Sequence, residues 1–250
     1  MNAPKLSALL VVRNEAEQLA DCLSKLKFAD EIVVVVDRSS DKSSEIAKKY
    51  THKVLEGSWP IEGDRRNLGI DNCSGDWIIE VDADERVSDS LAKEILSEVG
   101  KNTYDYFLLP FDNYIGNRLV RYGWGGSWGV SASVRLFRKG FKKWGRQRIH
   151  PKLELRGRKG ELESRMAHLV DKNFSDMLER FDRYTYQRSR DLQEVKSKDS
   201  LLNNVRRFFS RFFKCYFIRR GYLEGYYGFL IALMAGLYPI ISFLRSKLDE

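Results

Sequence analysis

The first hundred residues alternate short apolar runs with amphipathic stretches, and this alternation restricts the fold more than any other feature of the sequence. Three runs, Leu6–Val12, Glu31–Val36 and Asp76–Val81, have the length and the β-branched or aromatic content of buried strands. The stretches between them, such as Glu15–Leu26, have the apolar spacing of helices. Strands that alternate with helices are typical of βαβ units, so the sequence predicts an α/β fold around a mostly parallel sheet.

Polar residues follow each of these predicted strands. Arg13–Glu15 follows the first strand, Asp37 the second and Asp82–Asp84 the third. Ligands of open α/β sheets bind beyond the carboxyl ends of the strands. We therefore expect a binding site at this edge.

The chain has 250 residues, of which 43% are apolar, and a formal net charge of +8. Its length fits one large domain, or one domain with an appendage. The positive charge favours polyanionic partners, namely nucleic acid, acidic lipid or phosphorylated substrates, and does not by itself choose among them.

The cysteines and the N-terminal segment indicate the cellular compartment of the protein. The three cysteines are far apart and lack the spacing of metal ligands, which is typical of reduced thiols in a cytosolic protein. The apolar run Leu6–Val12 is too short for a signal peptide. We expect a cytoplasmic protein.

The acidic segment Asp82–Glu85 stands directly after a predicted strand. Two carboxylates one residue apart can share Mg²⁺ or Mn²⁺, which prefer oxygen ligands and also bind phosphates. Such a metal would neutralise charge on a diphosphate leaving group. Taken alone, the segment also fits a solvated turn in which Ser88 caps the next helix.

Four segments together resemble family 2 glycosyltransferases in content, order and spacing: Leu9–Glu15, Asp37–Asp41, Arg65–Gly69 and Gly75–Glu85. The resemblance is dense over residues 6–99 and looser to about residue 170. It implies a GT-A fold, that is, a Rossmann-like sheet flanked by helices, over residues 1–172. It also implies transfer of a sugar from a nucleotide donor with the help of a divalent metal, Mg²⁺ or Mn²⁺.

More narrowly, the chain resembles the bacterial lipopolysaccharide-core β-1,4-glucosyltransferase-like branch, through Val11–Glu15, Arg65–Asn67, Asp82–Glu85, Arg135–Arg138 and an aromatic, glycine-rich C-terminal tract. This resemblance implies an inverting hexosyltransferase with a UDP-sugar donor. The acceptor implied is lipid-linked or a lipopolysaccharide core.

The resemblance assigns roles to individual residues. Asp37 matches the aspartate that contacts the base, Asp82 the carboxylate near the ribose and metal, and Asp84 the principal metal ligand. Arg13 and Glu15 lie at the expected nucleotide pocket.

A second group stands early in the helix before the acidic segment. Arg65 and Arg66 can reach the diphosphate, since a guanidinium matches phosphate geometry, and a solvated basic helix face is the alternative. Asn67 can bond neighbouring loop backbone.

The sequence departs from the branch at the general base that inversion requires. Its Val-His-Glu motif corresponds to Ile149-His150-Pro151 here, so no catalytic glutamate can be carried over by position. The candidates are His150, Glu154 and Asp112, and each also fits a structural role. His168 is a further candidate, or supports the metal or diphosphate.

Aromatic residues are frequent in the loop Gly123–Gly129, which we expect either to cover the acceptor or to pack as an ordinary loop.

The pattern of residues 173–250 predicts a helical, membrane-associating region. Arg206–Arg220 interleaves cations with aromatics and has no acidic residue, which is typical of a helix at an anionic membrane interface. The uncharged tract Gly225–Leu244 fits shallow insertion, packing on the catalytic domain or a membrane span.

These features predict an enzyme attached peripherally to the inner face of the cytoplasmic membrane. Its partners would be a nucleotide sugar, a lipid-linked or glycolipid acceptor and the anionic membrane surface. We expect no nucleic-acid partner, and self-association as a homo-oligomer is open. The alternatives are a catalytically impaired GT-A-fold protein, or a basic module that binds anionic lipid or RNA.

Overall fold

The computed structural model describes residues 3–125, 128–146, 152–195 and 199–249, and all statements below concern those residues. The chain divides into two compact units. The first comprises Met1–Phe111 and Ala132–His168, and the second Asp112–Ser131 and Leu169–Glu250.

The regular elements follow the predicted alternation through the first hundred residues. The strands are β1 (Leu6–Val12), β2 (Glu31–Asp37), β3 (Lys53–Gly57), β4 (Trp77–Glu80), β5 (Glu85–Arg86), β6 (Tyr106–Ile115), β7 (Arg118–Val120), β8 (Ala132–Arg138), β9 (Lys142–Trp144), β10 (Leu153–Leu155), β11 (Lys159–Glu161) and β12 (Met166–Asp171). The helices are α1 (Ala16–Ser24), α2 (Ser43–Ala47), α3 (Glu62–Asn72), α4 (Asp89–Lys101), α5 (Phe174–Glu194), α6 (Leu201–Phe213) and α7 (Tyr226–Leu248).

One mixed sheet has the strand order β3-β2-β1-β4-β8-β6-β12-β5, with β7 and β11 also paired to β6. Strands β3, β2, β1 and β4 are parallel, whereas β8 is antiparallel to both β4 and β6. The predicted α/β fold with a mostly parallel sheet and a helical C-terminal region is confirmed. The carboxyl ends of β1, β2 and β4 lie at one edge because these strands run in the same direction.

The core of the first unit explains why the strands carry continuous apolar runs. Leu6, Leu10, Val34, Val36 and their neighbours on β1 and β2 are buried against α1 and α4 on one face of the sheet. A second cluster, which includes Leu9, Val33 and Phe137, is buried on the other face. Strands covered on both faces need apolar residues at successive positions rather than at alternate ones.

Side chains near the beginnings of α2, α4 and α5 accept hydrogen bonds from backbone N–H groups. Ser88 caps α4 by accepting a hydrogen bond from the Leu91 N–H (3.2 Å). The residue before α2 is Lys42, and Asp41 instead accepts from the N–H groups of Ser43 (3.0 Å) and Ala16 (2.9 Å).

Helix α5 begins directly after Asn173. Asn173 caps the helix, because its side chain accepts from the Asp176 N–H at 3.0 Å.

The second unit begins with a hairpin around Gly116, which has a φ of 57° and joins β6 to β7. Its core buries Trp124 and Trp128 together with Met177 and Ile231. Of the two alternatives for this loop, the burial of Trp124 and Trp128 agrees with ordinary packing, since both rings pack inside this unit. Gly126 and Ser127 of the same loop lie outside the described residues.

The three long helices of this unit pack on one another through α7. Among the described residues, α7 alone is long and apolar enough to cross a membrane, and half of its most apolar stretch is buried. The α-helix that the sequence indicates at Arg206–Arg220 ends at Phe213. A π-helical turn (Lys214–Ile218) and a 3₁₀ turn (Gly221–Glu224) follow before α7.

Candidate active site

The loops after β1 and β2 are joined by short hydrogen bonds. Asn14 has a φ of 56°, its N–H donates to Ser39 Oγ (3.0 Å), and its Oδ1 accepts from the Ser40 N–H (2.8 Å). The Glu15 N–H donates to Ser43 Oγ at 2.9 Å. Arg13 is exposed at the end of β1. The residues expected at the nucleotide pocket thus lie on a constrained backbone.

Asp37 ends β2 and is fully buried, with its carboxylate held from three sides. Arg38 Nη2 donates to Oδ2 at 2.9 Å, the Trp59 N–H donates to Oδ1 at 2.9 Å, and Arg65 also binds Oδ2. Burial alone would raise the pKa of Asp37, but the hydrogen bonds outweigh it and hold that pKa below its ordinary value. Asp37 is therefore an anchored, ionised acceptor.

Helix α3 presents its next two residues to the strand β9. The Arg66 guanidinium lies 4.8 Å from the Trp144 ring centroid and 3.4 Å from Asp82 Oδ1. Asn67 bonds backbone, as its side chain donates to the Trp144 carbonyl (2.8 Å) and accepts from the Trp144 N–H (2.9 Å). This pair of bonds fastens β9 to α3.

The acidic segment after β4 is organised by Arg135, a buried residue of β8. Arg135 Nη2 binds both Asp82 Oδ2 and Glu85 Oε1. Burial acts to raise the pKa of Asp82, but Arg135 and Arg66 lower it well below the ordinary range. Glu85 is fully buried, and burial raises its pKa in spite of Arg135.

Asp84 belongs to a different cluster of side chains from Asp82, one that could hold a metal ion. One ligand atom each from Asp84, Glu85 and His168 lies within 4.8 Å of the others. His168 Nε2 is 3.4 Å from Asp84 Oδ2, and His168 stands opposite Glu85 in the β12–β5 pair. Burial lowers the pKa of His168, but its contacts with Asp84 outweigh this and raise the pKa above its ordinary value. Two carboxylates and an imidazole form a donor set that suits a divalent cation.

A buried ion pair supports the strand that leads to this segment. Glu80 on β4 binds Lys142 Nζ and accepts from Trp144 Nε1 at 3.0 Å. Lys142 also donates to the Val134 carbonyl at 2.8 Å. Both side chains are almost completely buried, so each charge depends on the other.

The three candidates for the general base have different locations. Glu154 lies in the first unit, exposed on β10 and opposite Lys143 of β9. Asp112 is half-buried on β6 in the second unit. His150 lies outside the described residues.

Sequence reasoning gave no role to Arg135 or Lys142. Arg135 is a charged residue inside the apolar strand Ala132–Arg138, and that signal indicates a buried partner. Lys142 begins the strand Lys142–Trp144, which carries no such signal. The partner itself could not be named, because it comes from a strand fifty or more residues away.

The sheet, the flanking helices and the acidic edge define a GT-A glycosyltransferase fold. Two solved structures are similar: a mannosyltransferase, PcManGT from Pyrobaculum calidifontis in complex with GDP-Man and Mn²⁺ (TM-score 0.55, 12% identity, 100% of this chain and 89% of that chain), and S. aureus TarS 1-349 in complex with UDP-GlcNAc (TM-score 0.52, 13% identity, 94% and 81%).

The sequence model described as "Glycosyl transferase family 2" matches residues 7–152. The chain belongs to this family and is a glycosyltransferase by family and fold. A protein of Rickettsia bellii (strain RML369-C) described as "Uncharacterized glycosyltransferase" is 24% identical over 98% of this chain and 86% of its own length. "Lipopolysaccharide core biosynthesis glycosyltransferase LpsC" of Rhizobium meliloti is 28% identical over 46% of this chain and 42% of its own length.

Proposed function

We propose that this protein transfers a sugar, with inversion, from a UDP-sugar to a lipid-linked or lipopolysaccharide-core acceptor at the inner face of the cytoplasmic membrane. One observation carries the proposal: Asp37, Asp82 and Asp84 follow strands that end at the same edge of the sheet, beside the cations Arg65 and Arg66. This edge combines acidic groups for a base and a metal with guanidinium groups for a diphosphate.

The donor site uses Asp37 as the contact for the base. Its carboxylate is ionised and held by Arg38 and Arg65, and it has no exposed surface, so one of these arginines has to move aside before a base N–H can bond to it. Arg13 and Glu15 border the same pocket. Two structures with this fold hold UDP-GlcNAc and GDP-Man, which supports a nucleotide-sugar donor for this chain.

The residues near the acidic segment fit a divalent cation, Mg²⁺ or Mn²⁺. Asp84 would be the principal ligand, with Asp82 towards the ribose, and Glu85 and His168 complete a donor set of oxygen and nitrogen. A cation bound there supplies charge neutralisation to the departing diphosphate. The PcManGT structure contains Mn²⁺ with its nucleotide sugar, which supports this assignment.

Inversion requires a base that takes the proton of the acceptor hydroxyl on the side opposite the leaving group. We keep His150, Glu154 and Asp112 as the candidates. Replacing each in turn separates them, because loss of the base lowers transfer to the acceptor while nucleotide affinity is unchanged.

The acceptor assignment rests on residues 173–250 and on the similarity to LpsC. Leu201–Leu248 contains eight Arg or Lys and one acidic residue, Glu224, which is buried. Arg211 lies over the Tyr238 ring (5.9 Å) and is half-buried, and Arg207 is paired with Asp199. The other exposed cations of this segment are Arg206, Lys214, Arg219, Arg220 and Lys247.

The test is a panel of nucleotide sugars with Mn²⁺, in which release of the nucleoside diphosphate is measured with and without acceptor. Asp84→Asn should lower turnover more than about 100-fold, because it removes a metal ligand while keeping the shape. Asp71→Asn, at an exposed position of α3, is the matched control and should retain full turnover. Full activity of Asp84→Asn, or of wild type in excess chelator, would contradict the metal assignment.

A further inference from the structure

We infer that the second unit binds the surface of an anionic lipid bilayer through one face of α6 and the π-helical turn after it, while α7 packs inside the unit and does not span the membrane. The inference rests on the membrane location proposed above and does not depend on the donor or the acceptor. It adds the surface that makes the contact and the depth to which the chain enters the bilayer.

Exposed apolar side chains are concentrated in one part of the second unit. Of the 21 large apolar residues that are exposed in the described part of the chain, ten lie between residues 201 and 229. Single apolar side chains on a protein surface are ordinary, but a contiguous group of them marks an interaction surface. The question is therefore whether these side chains are contiguous.

Four of the ten form one continuous strip. Leu202, Phe209 and Phe213 are spaced by seven and four residues, which places them within about 40° of one another around α6. The ring of Phe213 contacts that of Phe217 in the π-helical turn, with 5.0 Å between centroids. Each of the four side chains is at least 49% exposed. We call this strip the insertion face.

The neighbouring side of α6 is the one that holds the helix in the unit. Phe208 packs so closely on Gly236 of α7 that a Cβ there would lie 2.8 Å from its ring. Phe212 contacts Phe229 of α7 at 5.9 Å between centroids. Because these rings already fix α6 on α7, the insertion face is free to bind something else.

The charges around the insertion face have one sign. Arg206 lies about 40° from Leu202 around α6, and Lys214 directly follows Phe213. Both are exposed, as is Arg220, and none of the three has an ion pair among the described residues. Within residues 201–248 the acidic side chain is that of Glu224, which is buried and accepts from the N–H groups of Arg121 (2.7 Å) and Tyr122 (3.1 Å).

An anionic bilayer matches both properties of this surface. Aromatic rings enter the boundary between head groups and acyl chains, while cations beside them bind the lipid phosphates. A second copy of the chain matches only the apolar property. Two copies that met through the insertion face would bring Arg206 and Lys214 of each into one interface, without an exposed carboxylate of this segment to offset them.

Helix α7 is apolar because it forms the core of the unit. Ile231, Ala232 and Ala235 are buried, and a Cβ at Gly228 would lie 1.7 Å from the Gly221 carbonyl oxygen. At the other end of the helix, Arg245 donates to the Asp182 carbonyl of α5 at 2.8 Å. Contacts therefore hold α7 in the unit along its whole length.

The helix on which α7 packs cannot enter a membrane. Helix α5 has nine charged residues among its 21. If α7 spanned the bilayer, it would have to leave α5 or carry these charges into the hydrocarbon, and both changes are costly. The unit therefore lies on the bilayer with the insertion face in the interfacial region.

The test is sedimentation of the full-length protein with vesicles of phosphatidylcholine, with and without phosphatidylglycerol, at low and high salt. We expect stronger binding to the anionic vesicles, and a part of the binding that salt does not remove. Phe209→Ser with Phe213→Ser and Phe217→Ser should weaken binding about thirtyfold at both salt concentrations, because it removes apolar burial.

Three matched variants separate apolar burial, charge and general damage. Changing the same three phenylalanines to Leu keeps the face apolar and should retain most of the binding. Arg206→Gln with Lys214→Gln should weaken binding about tenfold at low salt and much less at high salt. Tyr50→Ser with Leu96→Ser and Tyr104→Ser removes three exposed apolar side chains of the first unit and should leave binding unchanged.

The packing of α7 has its own measurement. Membranes isolated from cells that produce the protein are washed with alkaline carbonate, which removes proteins held at the surface and leaves those that span the bilayer. We expect the protein in the wash. Its retention in the pellet would mean that α7 spans the membrane.

The inference is overturned by that retention, or by a Ser triple variant that binds vesicles as wild type does. It is also overturned if wild type is a dimer in sedimentation equilibrium and the Ser variant a monomer, because a second copy would then cover the insertion face. Donor hydrolysis is measured on the same samples. Its absence from wild type would contradict the proposed enzyme activity and leave the vesicle result standing.

Discussion

Glu31, at the first position of β2, joins the amino ends of three strands. Its carboxylate accepts from Ser7 Oγ of β1, from both the N–H and the hydroxyl of Ser74 (2.8 Å each) before β4, and from Lys53 of β3. All three partner residues belong to the first unit. Removing this charge should therefore weaken the sheet without touching the acidic edge at its other end.

The size of the effect follows from the pKa of Glu31. Burial acts to raise this pKa, but the bonds from Lys53, Ser7 and Ser74 outweigh it and lower the pKa from 4.5 to about 2. This lowering corresponds to about 3 kcal/mol of stabilisation of the charged form. The side chain keeps 14% of its surface in water, so we expect Glu31→Gln to lower the free energy of unfolding by about 2 kcal/mol near neutral pH.

The pH dependence has a definite sign. Because the pKa of Glu31 is lower in the folded than in the unfolded state, its contribution is fully present above pH 4.5 and is lost as the pH falls towards 2. Urea denaturation followed by tryptophan fluorescence should show a large difference between wild type and Glu31→Gln near neutral pH, and a much smaller one near pH 2. Glu161→Gln, in an exposed pair with Lys159, is the control and should have little effect. An equal difference at both pH values would refute the reasoning.

Three further predictions concern the site and the membrane. Lys142→Met should lower the free energy of unfolding by about 3–5 kcal/mol, because it leaves Glu80 charged and buried, and adding Glu80→Gln should restore much of the loss in the same urea assay. Asp37→Ala should weaken UDP binding about tenfold or more in calorimetry and lower kcat less, and unchanged affinity would count against a role in binding the base. Arg206→Glu with Lys214→Glu should reduce sedimentation with anionic vesicles about tenfold at low salt and less at high salt, and normal sedimentation would leave α6 as a packing element.

Local pattern was sufficient for the elements that form the donor edge. Strand β1 has the predicted bounds, because a strand buried on both faces is visible in consecutive residues. The position of Asp37 and Asp82 after their strands follows from the same pattern. Parallel pairing then brings them to one edge.

The connections around the acidic segment depend on strand pairing between distant residues. Arg135 reaches Asp82 because β8 pairs with β4, and His168 stands opposite Glu85 because β12 pairs with β5. The sequence named His168 as a candidate but not its partners. The register between strands is set by packing over the whole sheet, so it cannot be predicted from the spacing of residues within one strand.

In helix α6 as well, one property of the aromatic residues follows from the sequence and another depends on the tertiary structure. Periodicity by itself determined that the aromatic residues of α6 share one half of the helix, because 100° per residue depends only on spacing. Tertiary structure decided which of them face the protein. Phe208 and Phe212 pack against Gly236 and Phe229 of α7, whereas Phe209 and Phe213 are exposed. The reason is that a helix covers only as much apolar surface as its neighbour can reach, and α7 covers one side of the aromatic half and leaves the other in solvent.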